Sequence, residues 1–301
     1  MTEEKGAAAP PRYLIASAAF EAPPLAPGLY VVATPIGNLR DITIRALETL
    51  AAADLVLCED TRTSAKLLDH YGISTRRSPL HEHNERARVE ALVAELGGGA
   101  KIALISDAGT PLLSDPGFPL VRAVREVGLP VFAIPGASAL LAALATAGLP
   151  TDSFSFMGFL PPKAGQRANA LAALRARPET LCFYESPRRL GDTLAAMAGA
   201  FGPDREAAVA LELTKRFERL SRGTLAELAA SFARAETKGE AVILVAGSAE
   251  APVEEADWRA ALVEAMQREP LRAAVDEVTA TFSLKRKDVY DAALALKAEK
   301  S

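Results

Sequence analysis

Cysteine and histidine are scarce in this chain. Of 301 residues, two are Cys and three are His. Cys58 and Cys182 each lie inside an apolar run, LVLCED and LCFYES. That excludes a disulfide framework and reads as two buried, reduced thiols in strands, as expected of a cytoplasmic protein. So few soft ligands also argue against a structural zinc site, and no metal is expected. Aromatic residues make up only 6%, which leaves Ala, Leu and Val to build most of the core. No run of about 18 apolar residues occurs, so no transmembrane helix and no membrane partner are expected. The N-terminus, MTEEKG, has no basic segment followed by an apolar one and does not read as a signal peptide. The net charge is −4. A chain that coats nucleic acid carries a broad basic field, so any RNA contact here must come from a local patch. Four catalytic signatures are missing: a Walker-type phosphate loop, a G-x-G-x-x-G turn after the first strand, H-E-x-x-H and G-x-S-x-G.

What the chain does have is an ordered series of loops. Half of its residues are hydrophobic, enough for more than one core. Between Gly28 and Gly247, six short apolar runs each end in a loop dense in Gly, Pro, Ser, Thr and acidic residues. The loops are ATPIGN (33–38), EDTRTS (59–64), SDAGTPLLSDPG (106–117), PGASA (135–139), YESPRR (184–189) and ELTKRFE (212–218). Strands are expected at 29–34, 55–59, 101–106 and 131–134, alternating with helices at 42–53, 63–71, 85–96 and 118–127. That alternation implies a parallel α/β sheet with right-handed crossovers. A second, less regular half follows, with strands at 154–159, 181–184, 207–211 and 241–245. Its helices are expected at 138–147, 168–175, 190–200 and 225–235. A strand-like stretch around 216–220 is expected to pair antiparallel with 242–245, so this sheet should be mixed. Three short amphipathic helices are expected at 257–267, 271–282 and 287–297. The predicted division is a flexible tail (1–27), an N-terminal α/β domain (28–136), a C-terminal α/β domain (137–248) and a helical appendage (249–301).

In an open parallel sheet, ligands bind outside the carboxyl ends of the strands, where such loops collect. Pro35 fixes φ and Gly37 lets backbone approach a ligand, although an ordinary strand–helix turn uses the same residues. Ser106–Gly117 is the most distinctive segment. Its Asp107, Ala108, Gly109, Thr110, Ser114 and Asp115 leave room for a bulky ligand and offer hydroxyl and backbone partners; alternatively, Asp115 and Pro116 merely start a helix. Gly136, Ser138 and Ala139 form a small-residue turn in which Ser138 can cap a helix or donate to a ligand. Glu59, Asp60 and Arg62 close the second strand, as proton acceptors or as a helix cap with an ion pair. His81, Glu82, His83 and Asn84 form a polar cluster in which a histidine can act as a base or simply face solvent. Arg188, Arg189 and Arg216, with Lys215, give the second half a cationic lining suited to phosphate, and Arg62 is a further candidate for RNA contact. Lys285, Arg286 and Lys287 place a basic turn in the appendage, which reads as a small nucleic-acid module or as a packing element.

These segments together resemble the tetrapyrrole methylases, and within that family the branch that acts on ribosomal RNA. VATPIGNLRDIT, CEDTRTSAKLL, HEHNE, LISDAGTPLLSDPG, PGASA, YESPRR and ELTK carry the resemblance, which spans Gly28 to the C-terminus. It implies two α/β domains around a cleft and S-adenosylmethionine as methyl donor. The implied reaction is transfer to the 2′-oxygen of a cytidine in small-subunit ribosomal RNA, free or in the assembled 30S subunit. A homodimer is implied as well. The loops at 33–38, 106–117 and 135–139 would line the cofactor; the family's commoner GDP is replaced by DAG and, later, DPG. Positioning supplies most of the rate in such a displacement, yet a ribose hydroxyl is a poor acid and needs a base. Glu59, Asp60, His83 and Lys215 are the candidates. The alternatives are a tetrapyrrole C-methyltransferase and a non-catalytic RNA-binding factor.

Overall fold

The structure, a computed structural model, describes residues 10–233, 239–248, 255–282, 284 and 286–298. The chain divides into two units, residues 1–246 and 247–301. The first unit opens with β1 (Arg12–Ile15) and β2 (Ala18–Glu21), then runs β3 (Gly28–Val32), α1 (Ile44–Ala52), β4 (Leu55–Cys58), α2 (Thr61–His70), β5 (Arg77–Pro79), α3 (Glu85–Gly97), β6 (Lys101–Leu104), α4 (Phe118–Glu126) and β7 (Val131–Ile134). After α5 (Ala139–Ala147) come β8 (Phe154–Phe159), α6 (Ala164–Ala172), β9 (Thr180–Glu185), α7 (Leu190–Phe201), β10 (Glu206–Leu211), β11 (Arg219–Thr224), α8 (Leu225–Phe232) and β12 (Ala241–Val245).

The first sheet is wholly parallel, in the order β5-β4-β6-β3-β7. Its strands are covered on both faces, which is why they read as unbroken apolar runs rather than alternating ones. Tyr30, Val32, Val56, Cys58 and Ala103 pack with Leu47 and Leu50 of α1 and Leu67 and Leu68 of α2. Leu29, Leu55, Leu57, Ile102 and Leu104 pack with Leu92 of α3 and Leu120 and Val124 of α4. Each fully buried leucine here contributes about 1.5–3 kcal/mol. Thr43 caps α1 by accepting from the Ala46 N–H, a contact worth ~1 kcal/mol.

The flexible tail expected over 1–27 holds a hairpin instead, within its described part. β1 pairs antiparallel with β2, Tyr13 and Ala22 are buried in the core beside α1, and the Leu14 N–H donates to the Tyr71 carbonyl at 2.7 Å. Leu14 also sits against Gly72, where any Cβ would fall 2.8 Å from its side chain. Two inward side chains hidden among Ala and Pro give too little periodicity to be read from sequence. Residues 1–9 of the expected tail lie outside the described residues.

The second sheet is mixed, in the order β11-β10-β12-β9-β8. Only β8 and β9 run parallel; β9–β12, β12–β10 and β10–β11 are antiparallel. The antiparallel partner of the stretch after Arg216 is therefore β10, not β12, because the short ELTKRFE loop returns the chain beside the strand it has just left. Side chains alternate between two cores. Leu181, Phe183, Val209 and Ile243 meet α7 and α8. Cys182, Ala208, Ala210, Val242 and Leu244 meet Leu140, Ala143 and Leu144 of α5. Thus α5 leaves the first sheet and covers the second, and the two sheets share one compact unit. Burial pushes the Cys182 thiol up to about 12, and both cysteines are free and buried.

The second unit contains α9 (Glu255–Arg268), α10 (Leu271–Phe282) and α11 (Arg286–Ala298). Leu262, Val275, Val278, Val289 and Ala293 form its own core. No helix among the described residues of the chain is long and apolar enough to cross a membrane.

Candidate functional site

The strand order of the first sheet sends the chain in opposite directions from two neighbouring strands. From β3 it crosses to β4 on one side; from β6 it crosses to β7 on the other. The loops after β3 and β6 part at this switch, and a crevice opens outside the strand ends. They are stitched across it. The Thr34 N–H donates to the Gly109 carbonyl at 2.8 Å and the Gly109 N–H to the Thr34 carbonyl at 3.1 Å. Thr34 is buried and its hydroxyl donates to the Ser106 carbonyl at 3.3 Å. Strained backbone gathers at the crevice: Leu112 and Ser114 adopt φ of +75° and +70°, and Glu212 and Thr214 of the ELTKRFE loop adopt +51° and +65°. Non-glycine residues hold such angles only where their surroundings impose them, and ligand sites are where this occurs most.

A cavity of about 360 Å³ lies in the crevice, within the usual range for a small-molecule site. One wall is the β6 loop, from Asp107 to Asp115, with Ala139 of α5. The opposite wall is the second sheet, through Phe159, Tyr184, Glu185, Ser186 and Val242. Phe159 and Tyr184 lie edge to face at 5.7 Å and give an aromatic surface. The charged residues of the lining are all acidic: Asp107, Asp115, Glu185 and Glu240. Burial, opposed by a hydrogen bond with Ser106, pushes the Asp115 carboxyl up to about 6, and the charges of Glu59 and Asp107 add to the rise. Glu185 is buried and committed: it accepts from the Thr193 hydroxyl and the Ser186 N–H, both at 2.7 Å. An acidic, partly aromatic cavity suits a cationic ligand with a flat ring.

Of the residues expected at a cofactor, Asp107, Ala108, Gly109, Thr110, Ser114, Asp115 and Ala139 line this cavity. Pro35 and Gly37 do not; they line a second one. Gly136 and Ser138 line neither. Gly136 allows the turn after β7 to press on Ala33, where a Cβ would sit 3.1 Å from the Ala33 Cβ. Ser138 caps α5, accepting from the Leu141 N–H.

The second cavity, about 220 Å³, opens on the other side of the β3 loop between Pro35, Gly37, Thr63, Lys66 and Lys215. Gly37 has φ +145°, and a Cβ there would fall 2.4 Å from Lys215 Cε, so only glycine seats that lysine. Lys215 Nζ lies 3.0 Å from Glu212 Oε1 and 3.5 Å from Glu240 Oε2. Burial pulls the ammonium down, but the two carboxylates outweigh it and hold its pKa above the usual lysine value. Lys215 therefore carries a proton at neutral pH and cannot receive one. The other expected bases lie outside both cavities. Asp60 caps α2 and pairs with Arg62 at 2.8 Å; hydrogen bonds from Arg62 hold its carboxyl at about 2. Glu59 is pushed up by burial and then by Asp107 and Glu82. His83 is exposed, with its ring 5.9 Å from that of His81.

Known proteins match this chain along its length. The family described as Tetrapyrrole (Corrin/Porphyrin) Methylases matches residues 28–229. The chain belongs to the tetrapyrrole methylase family. Residues 252–297 match the RsmI C-terminal HTH domain. Among its relatives, Ribosomal RNA small subunit methyltransferase I of Mesorhizobium japonicum is 51% identical over 94% of this chain and 97% of its own length. The protein of the same name from Pseudomonas aeruginosa is 52% identical over 73% of this chain and 78% of its own. A solved structure of uroporphyrin-III C-methyltransferase from Thermus thermophilus, complexed with S-adenosylhomocysteine, shares the fold at TM-score 0.52. It has 18% identity over 73% of this chain and 97% of its own.

In this tetrapyrrole methylase the cationic residues expected at RNA divide into free and committed groups. Arg188 and Arg216 are exposed, and Arg216 lies over the exposed Phe217 ring. Arg62 is exposed but paired with Asp60. Arg189 turns inward: it donates to the Leu160 and Pro161 carbonyls at 3.1 and 3.2 Å and pairs with the buried Glu185. Its expected RNA contact is thereby corrected, because a buried carboxylate four residues back needs that guanidinium. Arg286 pairs with Asp276 at 2.7 Å, Lys287 is exposed, and Lys285 lies outside the described residues. Sequence reading missed Ile36, Phe159, Glu240 and Lys66 as lining residues. Ile36 and Lys66 lie inside the ATPIGN and CEDTRTSAKLL segments but are neither small nor paired there, and Phe159 and Glu240 lie outside every quoted segment; the strand end at Phe159 and the i, i+4 spacing of Arg62 and Lys66 were the available signals.

Proposed function

We propose that this protein is an S-adenosylmethionine-dependent methyltransferase that modifies the 2′-oxygen of a cytidine in small-subunit ribosomal RNA. The observation that carries the reading is the acidic cavity at the switch point, in a chain more than half identical to a ribosomal RNA small subunit methyltransferase. S-adenosylmethionine bears a sulfonium and an ammonium against one carboxylate, so it is a net cation. Among the described residues, no Lys or Arg lines that cavity. Asp107 and Asp115 face the cationic groups, Phe159 and Tyr184 take the adenine ring, and Thr110 and Ser114 offer hydroxyls to the polar end. The sulfonium is activated as it stands, so the protein's work is alignment of donor and acceptor.

The helical second unit, with its HTH likeness, supports RNA over a macrocycle as acceptor. Arg188, Arg216 and Lys287 supply exposed positive charge on an acidic chain. We assign the assembled 30S subunit as substrate, a homodimer as the working form and the cytoplasm as its place. The test is a map of the modified RNA. The RNA of 30S subunits treated with the protein and cofactor should gain one position resistant to alkaline cleavage, because that cleavage needs the free 2′-hydroxyl as nucleophile. A 2′-deoxy substitution there should abolish methyl uptake. Uptake that survives the deoxy substitution points to a base atom instead, and uptake only by a porphyrinoid favours the C-methyltransferase.

A further inference from the structure

We propose that the second cavity receives the acceptor nucleotide and that Asp107, on the wall shared with the first cavity, takes the proton from its hydroxyl. This rests on the methyltransferase reading above and adds to it a catalytic base and an acceptor site.

The two cavities share four residues: Ile36, Asp107, Ala108 and Glu240. A donor in one and an acceptor in the other can meet only at this wall, so the base must reach it. Two carboxylates do. Glu240 is engaged by the ammonium of Lys215. Asp107 is held by one oxygen, which accepts from the Asp60 N–H at 3.1 Å; its other oxygen has no partner among the described residues. It is thus fixed in place and open to a proton. The exposed Glu59 and half-buried Asp115 carboxyls both feel its charge and are raised by it, so acidic groups crowd together at this wall.

The acceptor side has matching chemistry. Lys66 on α2 is exposed and without a partner among the described residues, and Lys215 uses two of its three donors on Glu212 and Glu240. Both face the second cavity, where the phosphates flanking a ribose can meet them. In the step itself, the 2′-oxygen forms a bond to the methyl carbon as the carbon–sulfur bond breaks. That bond's electron pair goes to sulfur, leaving a neutral thioether. The O–H pair stays on oxygen and the proton passes to the Asp107 carboxylate, so the positive charge of the sulfonium and the negative charge of the carboxylate disappear together.

The test compares single-turnover methyl transfer by wild type, Asp107→Asn, Asp107→Glu and Glu240→Gln, at saturating cofactor and 30S subunit. Cofactor affinity is followed by calorimetry. Asp107→Asn should slow transfer at least about 100-fold. Its cofactor affinity should fall no more than the roughly tenfold expected for Asp115→Asn, a loss that saturating cofactor removes from the rate, and Asp107→Glu should restore part of the rate. A rate for Asp107→Asn within about threefold of wild type at saturation overturns the assignment, as does a larger loss in Glu240→Gln than in Asp107→Asn. In either case wild-type transfer to the RNA leaves the proposed function standing. No transfer by wild type removes that function, and this inference with it.

Discussion

The two cavities share a wall and differ in charge. The larger is lined by Asp107, Asp115, Glu185 and Glu240 with no cation among its described lining; the smaller adds Lys66 and Lys215 to two of those same carboxylates. Volume already favours the cofactor in the larger, since about 220 Å³ falls short of the usual range for a small-molecule site. Charge separates them: a net-cationic methyl donor is favoured in the first, and a chain of phosphates can approach only where lysines face it. A single residue type at the boundary also differs in consequence. Gly109 on the first side keeps the β6 loop close to Ile36, whereas Gly37 on the second leaves space for Lys215.

The harshest way to break this division is to fill the first cavity. Gly109 has φ +80°, and a Cβ there would already lie 3.3 Å from Ile36. Gly109→Trp should reduce cofactor affinity at least ~100-fold, read by calorimetry on protein whose circular dichroism matches wild type. Undiminished binding in the folded variant would move the cofactor elsewhere.

A smaller effect concerns Asp115, whose folded pKa of about 6 lies above its ordinary value through burial. The folded state binds this proton more tightly than the unfolded chain does, so the group favours folding at low pH. That advantage is lost as pH rises through about 6. Asp115→Asn should therefore raise the melting temperature at pH 7.5, and the gain should fade toward pH 4. The same change removes a negative charge from the first cavity, where we place the cofactor, so affinity at pH 8 should fall roughly tenfold and become indistinguishable from wild type below pH 5. A melting temperature lowered at pH 7.5 would show the carboxylate to be stabilising and contradict its burial cost.

Smaller again is Lys66→Gln. RNA affinity should fall about threefold and the salt slope by about one unit, with cofactor binding unchanged. The least effect is expected from Lys287→Gln, an exposed single charge whose removal should weaken RNA binding less than about twofold. If Lys287→Gln exceeds Lys66→Gln, the second unit rather than the cavity dominates the phosphate contacts.

Much of the fold was legible because the first sheet is built from local rules. Runs such as LYVV and LVLC are buried on both faces, and the Gly/Pro loops punctuate them. The helix expected at 63–71 begins two residues earlier, at Thr61, with Asp60 as its cap, and the cap at Ser138 follows from residue type. What escaped reading depends on partners distant in sequence. The hairpin of residues 12–21 rests on Tyr13 reaching α1 and Leu14 reaching Gly72. The inward turn of Arg189 depends on Glu185 being buried. α6 begins at Ala164, four residues before the expected start, because apolar spacing marks its buried face but not its first turn. The site was legible as a set of loops. Its division into two cavities was not, since Ile36, Asp107, Ala108 and Glu240 come from three separate segments that meet only in the folded chain.

The most direct test of that division is a crossed titration. Wild type, Asp115→Asn and Lys66→Gln are each titrated with S-adenosylmethionine and with 30S subunit at pH 8. The account predicts that Asp115→Asn weakens only the cofactor and Lys66→Gln weakens only the RNA. A variant that shifts both affinities equally, or Lys66→Gln weakening the cofactor alone, would contradict it.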